Sequence, residues 1–254
     1  MVQSLKLKSH TRPRLPGGLR VYAIGDVHGR ADLLKNLFAL IDADLARRPS
    51  ARAQQIMLGD YIDRGPASRE VIDLILARAA QHEVVALKGN HDAFVLQALD
   101  DPAAMGDWLM MDGVETLASY GLTSANVARS RLSDLARAFA TALPERHLEF
   151  FRGLKSSFSC GDFFFAHAGV RPGIDLSLQA EDDLLWIRQE FLRYGGDFGK
   201  VIVHGHSPVR DVEFHPNRIA VDTAAYTSGK LTALVIEDSS LRVIDTAKAN
   251  AHAA

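Results

Sequence analysis

Five short segments, each placing glycine beside a carboxylate, amide or imidazole, constrain this chain more than any other feature. In order they are Gly25-Asp26-Val27-His28-Gly29, Gly59-Asp60-Tyr61-Ile62-Asp63-Arg64-Gly65, Gly89-Asn90-His91-Asp92, His167-Ala168-Gly169 and His204-Gly205-His206. Each follows a largely apolar run of strand length, at 19–24, 55–58, 83–87, 162–166 and 201–203. Short apolar runs bounded by glycine read as buried strands. In an open α/β sheet, the loops beyond the carboxyl ends of the strands converge on one site. Five such loops therefore predict one shared polar pocket. Five of the ten histidines fall in them, concentrated where strands end.

Between the first strands, Leu33, Leu34, Leu37, Leu40 and Ile41 recur at helical spacing. A second helix begins near Ser68 with Val71, Ile72, Ile75 and Leu76 on one face, and a third starts around Asp92. This alternation predicts a partly parallel α/β sheet. Residues 97–155 carry no clear strand signal. Trp108, Met110, Met111, Leu117 and Tyr120 lead there into an Ala/Arg/Leu-rich stretch, which reads as a helical cap insertion. From Val212 onward the pattern is strand and turn, with Ser228-Gly229 between apolar runs at 219–222 and 231–236. The 254 residues are thus expected to form a single domain over 19–248 that carries the insertion. A flexible basic arm is expected over 1–18, with Lys6, Lys8, Arg12 and Arg14, and a flexible tail over 249–254.

A net charge of −2 gives no global attraction to nucleic acid or anionic lipid, so any anion site must be built locally. The single cysteine, Cys160, excludes an internal disulfide framework and suits a reducing compartment. No apolar run reaches the roughly 18 residues of a membrane span, and the start of the chain lacks a secretory-type apolar stretch. The expectation is a soluble cytoplasmic protein with neither nucleic-acid nor membrane partners. His82, His147 and His215 stand outside the motifs and read as surface or satisfied core residues.

The five motifs, and above all the heptad at 59–65, resemble the calcineurin-like metallophosphoesterase superfamily, and within it the phosphoprotein phosphatases. The match in motif order runs from 20 to 236. It implies an α/β fold, a β-sandwich of two mixed sheets flanked by helices, with a dinuclear metal centre. Carried onto matching positions, Asp26, His28 and a bridging Asp60 would hold one metal. Asp60, Asn90, His167 and His206 would hold the other. Mixed oxygen and imidazole ligation suits transition ions, manganese first, with iron or zinc also compatible. Two such cations depress the pKa of a shared water for in-line attack on phosphorus, which leaves Cys160 a bystander. His91 matches the general acid, Asp63 its carboxylate partner, and Arg64, Arg188 and Asn90 the phosphate-binding groups. His204 is expected only to support the site, because Pro208 stands where broader superfamily members place a further histidine ligand.

Two residues depart from the pattern: Asp92 replaces the usual glutamate, and Lys88 replaces a phosphate-binding arginine and so loses its fork. Segments 167–173, 183–188 and 221–223 resemble bacterial phosphatases of the Rhizobiales-like type, some of which select phosphotyrosine. The implied substrate is a phosphorylated protein or peptide (Ser/Thr and/or Tyr), or a small phosphate ester. Residues 108–120 are expected to wall a deep apolar approach, Tyr226 to overhang the centre, and Trp186 to lie in the core. Symmetrical dinucleoside tetraphosphate hydrolases share the metal motifs and the Gly-Asn-His-Asp variant but lack the carboxylate of Asp63. Its presence favours monoester hydrolysis. A non-catalytic scaffold would have lost ligands, and all six are present. The motifs carry no signal for oligomeric state.

Overall fold

A computed structural model of the chain describes residues 12–247, so the expected arm at 1–11 and tail at 249–254 lie outside the described residues. Strand β1 (Leu19–Ile24) is buried at all six positions, a pattern that only the middle of a covered sheet can satisfy. Helix α1 (Ala31–Arg47), β2 (Arg52–Met57), α2 (Ser68–Ala79), β3 (Glu83–Ala86) and α3 (Asn90–Asp100) follow. Next come five helices: α4 (Pro102–Met110), α5 (Val114–Ser119), α6 (Ser124–Arg129), α7 (Leu132–Ala142) and α8 (Glu145–Arg152). Strands β4 (Ser157–Cys160) and β5 (Phe163–Ala166) precede α9 (Glu181–Trp186), α10 (Gln189–Leu192) and β6 (Val201–His204). The chain closes with β7 (Glu213–Phe214), β8 (Arg218–Ala220), α11 (Ala225–Ser228), β9 (Thr232–Glu237) and β10 (Ser240–Asp245).

The strands form two five-stranded mixed sheets, ordered β10-β9-β1-β2-β3 and β4-β5-β6-β8-β7. Alternate residues of β1 serve two cores, as strand geometry requires. Val21 and Ala23 meet Phe163, Phe165, Val203 and Ile219 of the second sheet. Tyr22 and Ile24 point the other way, into a helical layer with Leu34, Leu37, Ile72 and Val95. Outside the second sheet, Phe164, Ala166 and Ile202 pack on Leu184, Ile187 and Phe191. This is the helix-flanked sandwich of two mixed sheets that the resemblance implies. Among the described residues no helix is long and apolar enough to cross a membrane.

Four expectations need correction. Residues 12–18 are not part of a free arm: Leu15 sits in the inter-sheet core, its N–H donates to Asp238 O at 2.9 Å, and Arg14 N–H donates to Asp162 Oδ2 at 2.9 Å. One apolar residue among basic and proline neighbours anchors the strip. Residues 108–120 wall no deep apolar approach: Trp108, Leu117 and Tyr120 are buried in the helical layer, and the segment meets the site through Asp112, whose carboxylate is 3.5 Å from Arg64 Nε. There α4, α7 and α8 pack on α3, and α5 packs on α2. Strand β4 gave no signal, since its Ser-Phe-Ser-Cys sequence forms a half-exposed sheet edge, antiparallel to β5. Finally, the turn expected at 228–229 is the end of a short helix. Helix α11 intervenes there, and β8 and β9 belong to different sheets.

Candidate metal centre

Strands β1, β2 and β3 run parallel, and so do β5, β6 and β8, so six loops leave from carboxyl ends. Those loops carry the polar motifs. Asp92, on the first turn of α3, staples two of them: its carboxylate accepts N–H from Asp60 at 2.7 Å, Gly89 at 2.9 Å and Tyr61 at 3.0 Å. The shorter acid thus has a defined task. Backbone strain concentrates in the same place. Among the eight described non-glycine residues with positive φ, five belong to the motifs: His28, Asp60, Asp63, Arg64 and His206. Each such residue costs on the order of 1–3 kcal/mol and persists only where its surroundings fix it.

Asp60 lies at the centre of the cluster. Its Oδ2 is 3.4 Å from both His28 Nε2 and His167 Nε2, and its Oδ1 accepts His91 N–H at 3.0 Å. Asn90 Oδ1 lies 3.0 Å from His167 Nε2 and 2.9 Å from His206 Nδ1. Ligating atoms of Asp60, His167 and His206 all fall within 4.8 Å of one another, as do those of His28, Asp60 and His91. Asp26 belongs to neither tight group. It lies alongside, with Oδ2 accepting His206 N–H at 3.0 Å and Oδ1 buried without a hydrogen-bond partner.

These contacts fit cations. His167 Nδ1 is 2.9 Å from Leu58 O and His28 Nδ1 is 2.8 Å from Ile62 O. A carbonyl can only accept, so each Nδ1 carries a proton and each Nε2 is left to bind a metal, the usual arrangement around ligating histidines. His167 Nε2 then faces two acceptor oxygens, which a positive ion between them would reconcile. A proton meets the same demand: burial lowers His167, but the Asp60 and Asp26 carboxylates outweigh it and push it up to about 10. Burial and the neighbouring Asp222 raise Asp26 well above the ordinary carboxylate range. Buried acids gathered this closely need compensating positive charge. The mixed donor set matches transition ions rather than calcium.

Beside the cluster, Asp63 Oδ2 is 2.8 Å from His91 Nδ1, which leaves His91 Nε2 to meet the Arg64 guanidinium. Burial lowers His91, yet Asp60 and Asp63 raise it above its usual value. Arg64 spans the opening: Nη1 is 3.0 Å from His28 Nε2, Nη2 is 3.2 Å from His91 Nε2, and the guanidinium stacks on Tyr226 at 4.8 Å.

Other expected residues fall outside this cluster. Arg188 is exposed and its side chain has no hydrogen bond or ion pair among the described residues, although its charge reaches His206. Lys88 is paired to Glu181. His204 is buried against Phe191, with Nδ1 3.0 Å from Gly205 O. Trp186 is not a core residue, because α9 ends at it and leaves it 43% exposed, edge-on to His206 at 6.3 Å. Sequence reasoning assigned no role to Asp222, whose charge acts on Asp26 and whose carboxyl burial pushes up to about 6. It follows the carboxyl end of β8, so the strand-end rule that found the other motifs applies to it too.

Comparison with known proteins identifies the family. The chain is 25% identical over 232 residues to the asymmetrical bis(5'-nucleosyl)-tetraphosphatase PrpE of Anoxybacillus flavithermus, covering 83% of this chain and 88% of that one. It is 26% identical over 227 residues to serine/threonine-protein phosphatase 2 of Escherichia coli, covering 84% and 90%. The fold is shared with the cold-active protein-tyrosine phosphatase of a Shewanella species, at TM-score 0.53 and 20% identity, covering 94% and 82%. The model of the calcineurin-like phosphoesterases matches residues 19–236, nearly the whole span from β1 to β9, and the chain belongs to that family.

Proposed function

We propose that this member of the family is a metal-dependent phosphomonoesterase that acts on phosphorylated protein or peptide. The observation that carries the reading is the buried Asp63–His91 pair set against Asp60. An alkoxide or phenoxide is a strong base and leaves readily only when protonated, whereas a nucleoside phosphate leaves as a weak base. A proton donor built this firmly suits the first kind of leaving group.

In this reading Asp26, His28 and Asp60 hold one ion, and Asp60, Asn90, His167 and His206 hold the other. Bound there, the ions would supply a nucleophile at neutral pH and neutralise phosphoryl charge. Arg64, whose Nη1 and Nη2 lie against His28 Nε2 and His91 Nε2, would turn its fork onto two phosphate oxygens and so free Nε2 of each ring, and Asn90 and the unpaired Arg188 side chain add further contacts. His91 delivers the proton from Nε2, since Asp63 holds Nδ1.

A second reading, hydrolysis of dinucleoside tetraphosphates, draws on the exposed Trp186. With Ile187, Arg171 and Arg188 it lines a cavity of about 470 Å³ that also carries Asp182, Asp183 and Glu190; the indole offers a stacking face for a nucleobase and the unpaired Arg188 side chain a cation for its phosphates. It also draws on the relationship to the tetraphosphatase. Turnover of matched phosphotyrosine peptide, phosphothreonine peptide and diadenosine tetraphosphate by the metal-loaded enzyme separates the two. We expect a phosphopeptide to have the highest kcat/KM, and diadenosine tetraphosphate leading the panel would replace the first reading with the second.

A further inference from the structure

We infer that Trp108 and Thr116, both buried in the helical segment, are positioning residues for the His91 proton donor, acting through Asp63. The inference rests on the reading of His91 as that donor. The Asp63 carboxylate is fully buried and nearly saturated with donors. Oδ1 accepts Thr116 Oγ1–H at 2.6 Å and Trp108 Nε1–H at 3.0 Å. Oδ2 accepts the same indole N–H at 2.9 Å and His91 Nδ1–H at 2.8 Å. The backbone N–H of Asp63 donates to Thr116 Oγ1 at 2.9 Å and Ser68 Oγ at 3.1 Å.

A carboxylate held by one histidine alone could rotate and carry the ring with it. Donors on both oxygens leave one orientation of the carboxylate plane, and therefore one direction for His91 Nε2. The two supports are themselves fixed. Trp108 is fully buried against Phe139, ring centroids 5.2 Å apart. A Cβ added at Gly113 would lie 2.7 Å from Trp108 Cδ1, so the turn between α4 and α5 packs flat on the indole. Thr116 is equally buried and shares a 3.0 Å hydrogen bond with Ser68 Oγ. An apolar core needs neither the indole N–H nor the hydroxyl, and a buried donor costs stability unless it is paired. Both converge on one acid that meets one imidazole.

The test compares phenyl phosphate, whose leaving group needs a proton, with 2,4-dinitrophenyl phosphate, whose leaving group does not. Thr116→Val removes the hydroxyl at nearly constant volume, Trp108→Phe removes the N–H, and His91→Asn serves as reference. For Thr116→Val and Trp108→Phe we expect kcat on phenyl phosphate to fall about tenfold further than on the activated ester, with Thr116→Ser restoring it. A second readout needs no metal. The downfield proton resonance of a short His–Asp hydrogen bond should be present in the wild type and shifted or lost in Thr116→Val. Equal losses on both esters, with His91→Asn still discriminating between them, would sink the inference and spare the proton donor. A His91→Asn enzyme that fails to discriminate would remove both. If Trp108→Phe does not fold, Thr116→Val alone decides.

Discussion

Replacing Gly89 with alanine tests how tightly the centre is built. Gly89 has φ −92° and ψ 166°, a conformation alanine adopts freely, so the backbone term is neutral or slightly favourable. The collision is another matter. The new Cβ would lie 2.1 Å from Asp60 Oδ1 and 2.2 Å from Asp60 N, where carbon and oxygen normally keep roughly 3.3 Å or more. Something must move by about 1 Å, and Asp60 cannot yield cheaply, because its N–H is held by Asp92 and its φ is already +52°. Overpacking of this kind costs about 1–3 kcal/mol, which for a chain of this size lowers Tm by about 2–12 °C. A displacement of about 1 Å at a reacting centre costs on the order of 100-fold in turnover. Calorimetry and steady-state kinetics, with Gly195→Ala as a control in open space, measure both effects. Wild-type turnover and melting in Gly89→Ala would refute the placement of Asp60 against α3.

Arg64→Lys keeps the charge but loses the fork, so kcat/KM should fall about 10–100-fold, with inorganic phosphate inhibiting correspondingly more weakly. Unchanged phosphate inhibition would count against Arg64 as a phosphate ligand. Away from the site, His147 is buried between Tyr120 Oη at 2.8 Å and Asp73 Oδ1 at 2.9 Å. Burial lowers its pKa below 6.5 despite the pull of Asp73, so the folded chain binds this proton less readily than the unfolded one. Its contribution to stability is present above about pH 6.5 and is lost as pH falls through the depressed value. Melting scans from about pH 7.5 to about pH 5 should show a smaller decline for His147→Gln than for the wild type, and parallel curves would contradict this.

The sequence was most legible where one residue had a single physical option. Leu19–Ile24 is apolar but for Arg20 and found its place in the middle of a sheet. The motif residues follow strand ends, so the topology gathers them even though they lie far apart in the chain. What stayed hidden depended on partners that no local pattern encodes. A tryptophan in a helical stretch does not announce that its N–H is destined for Asp63, and a terminal Trp186 looks like any core residue of α9. Strand β4 and residues 12–18 were missed because edge pairing and one buried Leu15 leave almost no periodic signal.

Manganese stoichiometry by calorimetric titration and elemental analysis, on wild type and Asp60→Asn, bears most directly on the claim that two ions share Asp60. The geometry predicts two equivalents for the wild type and fewer than one for the variant at the same free manganese, because both sites lose the shared negative carboxylate. Two equivalents retained by Asp60→Asn, or a single equivalent in the wild type, would contradict it.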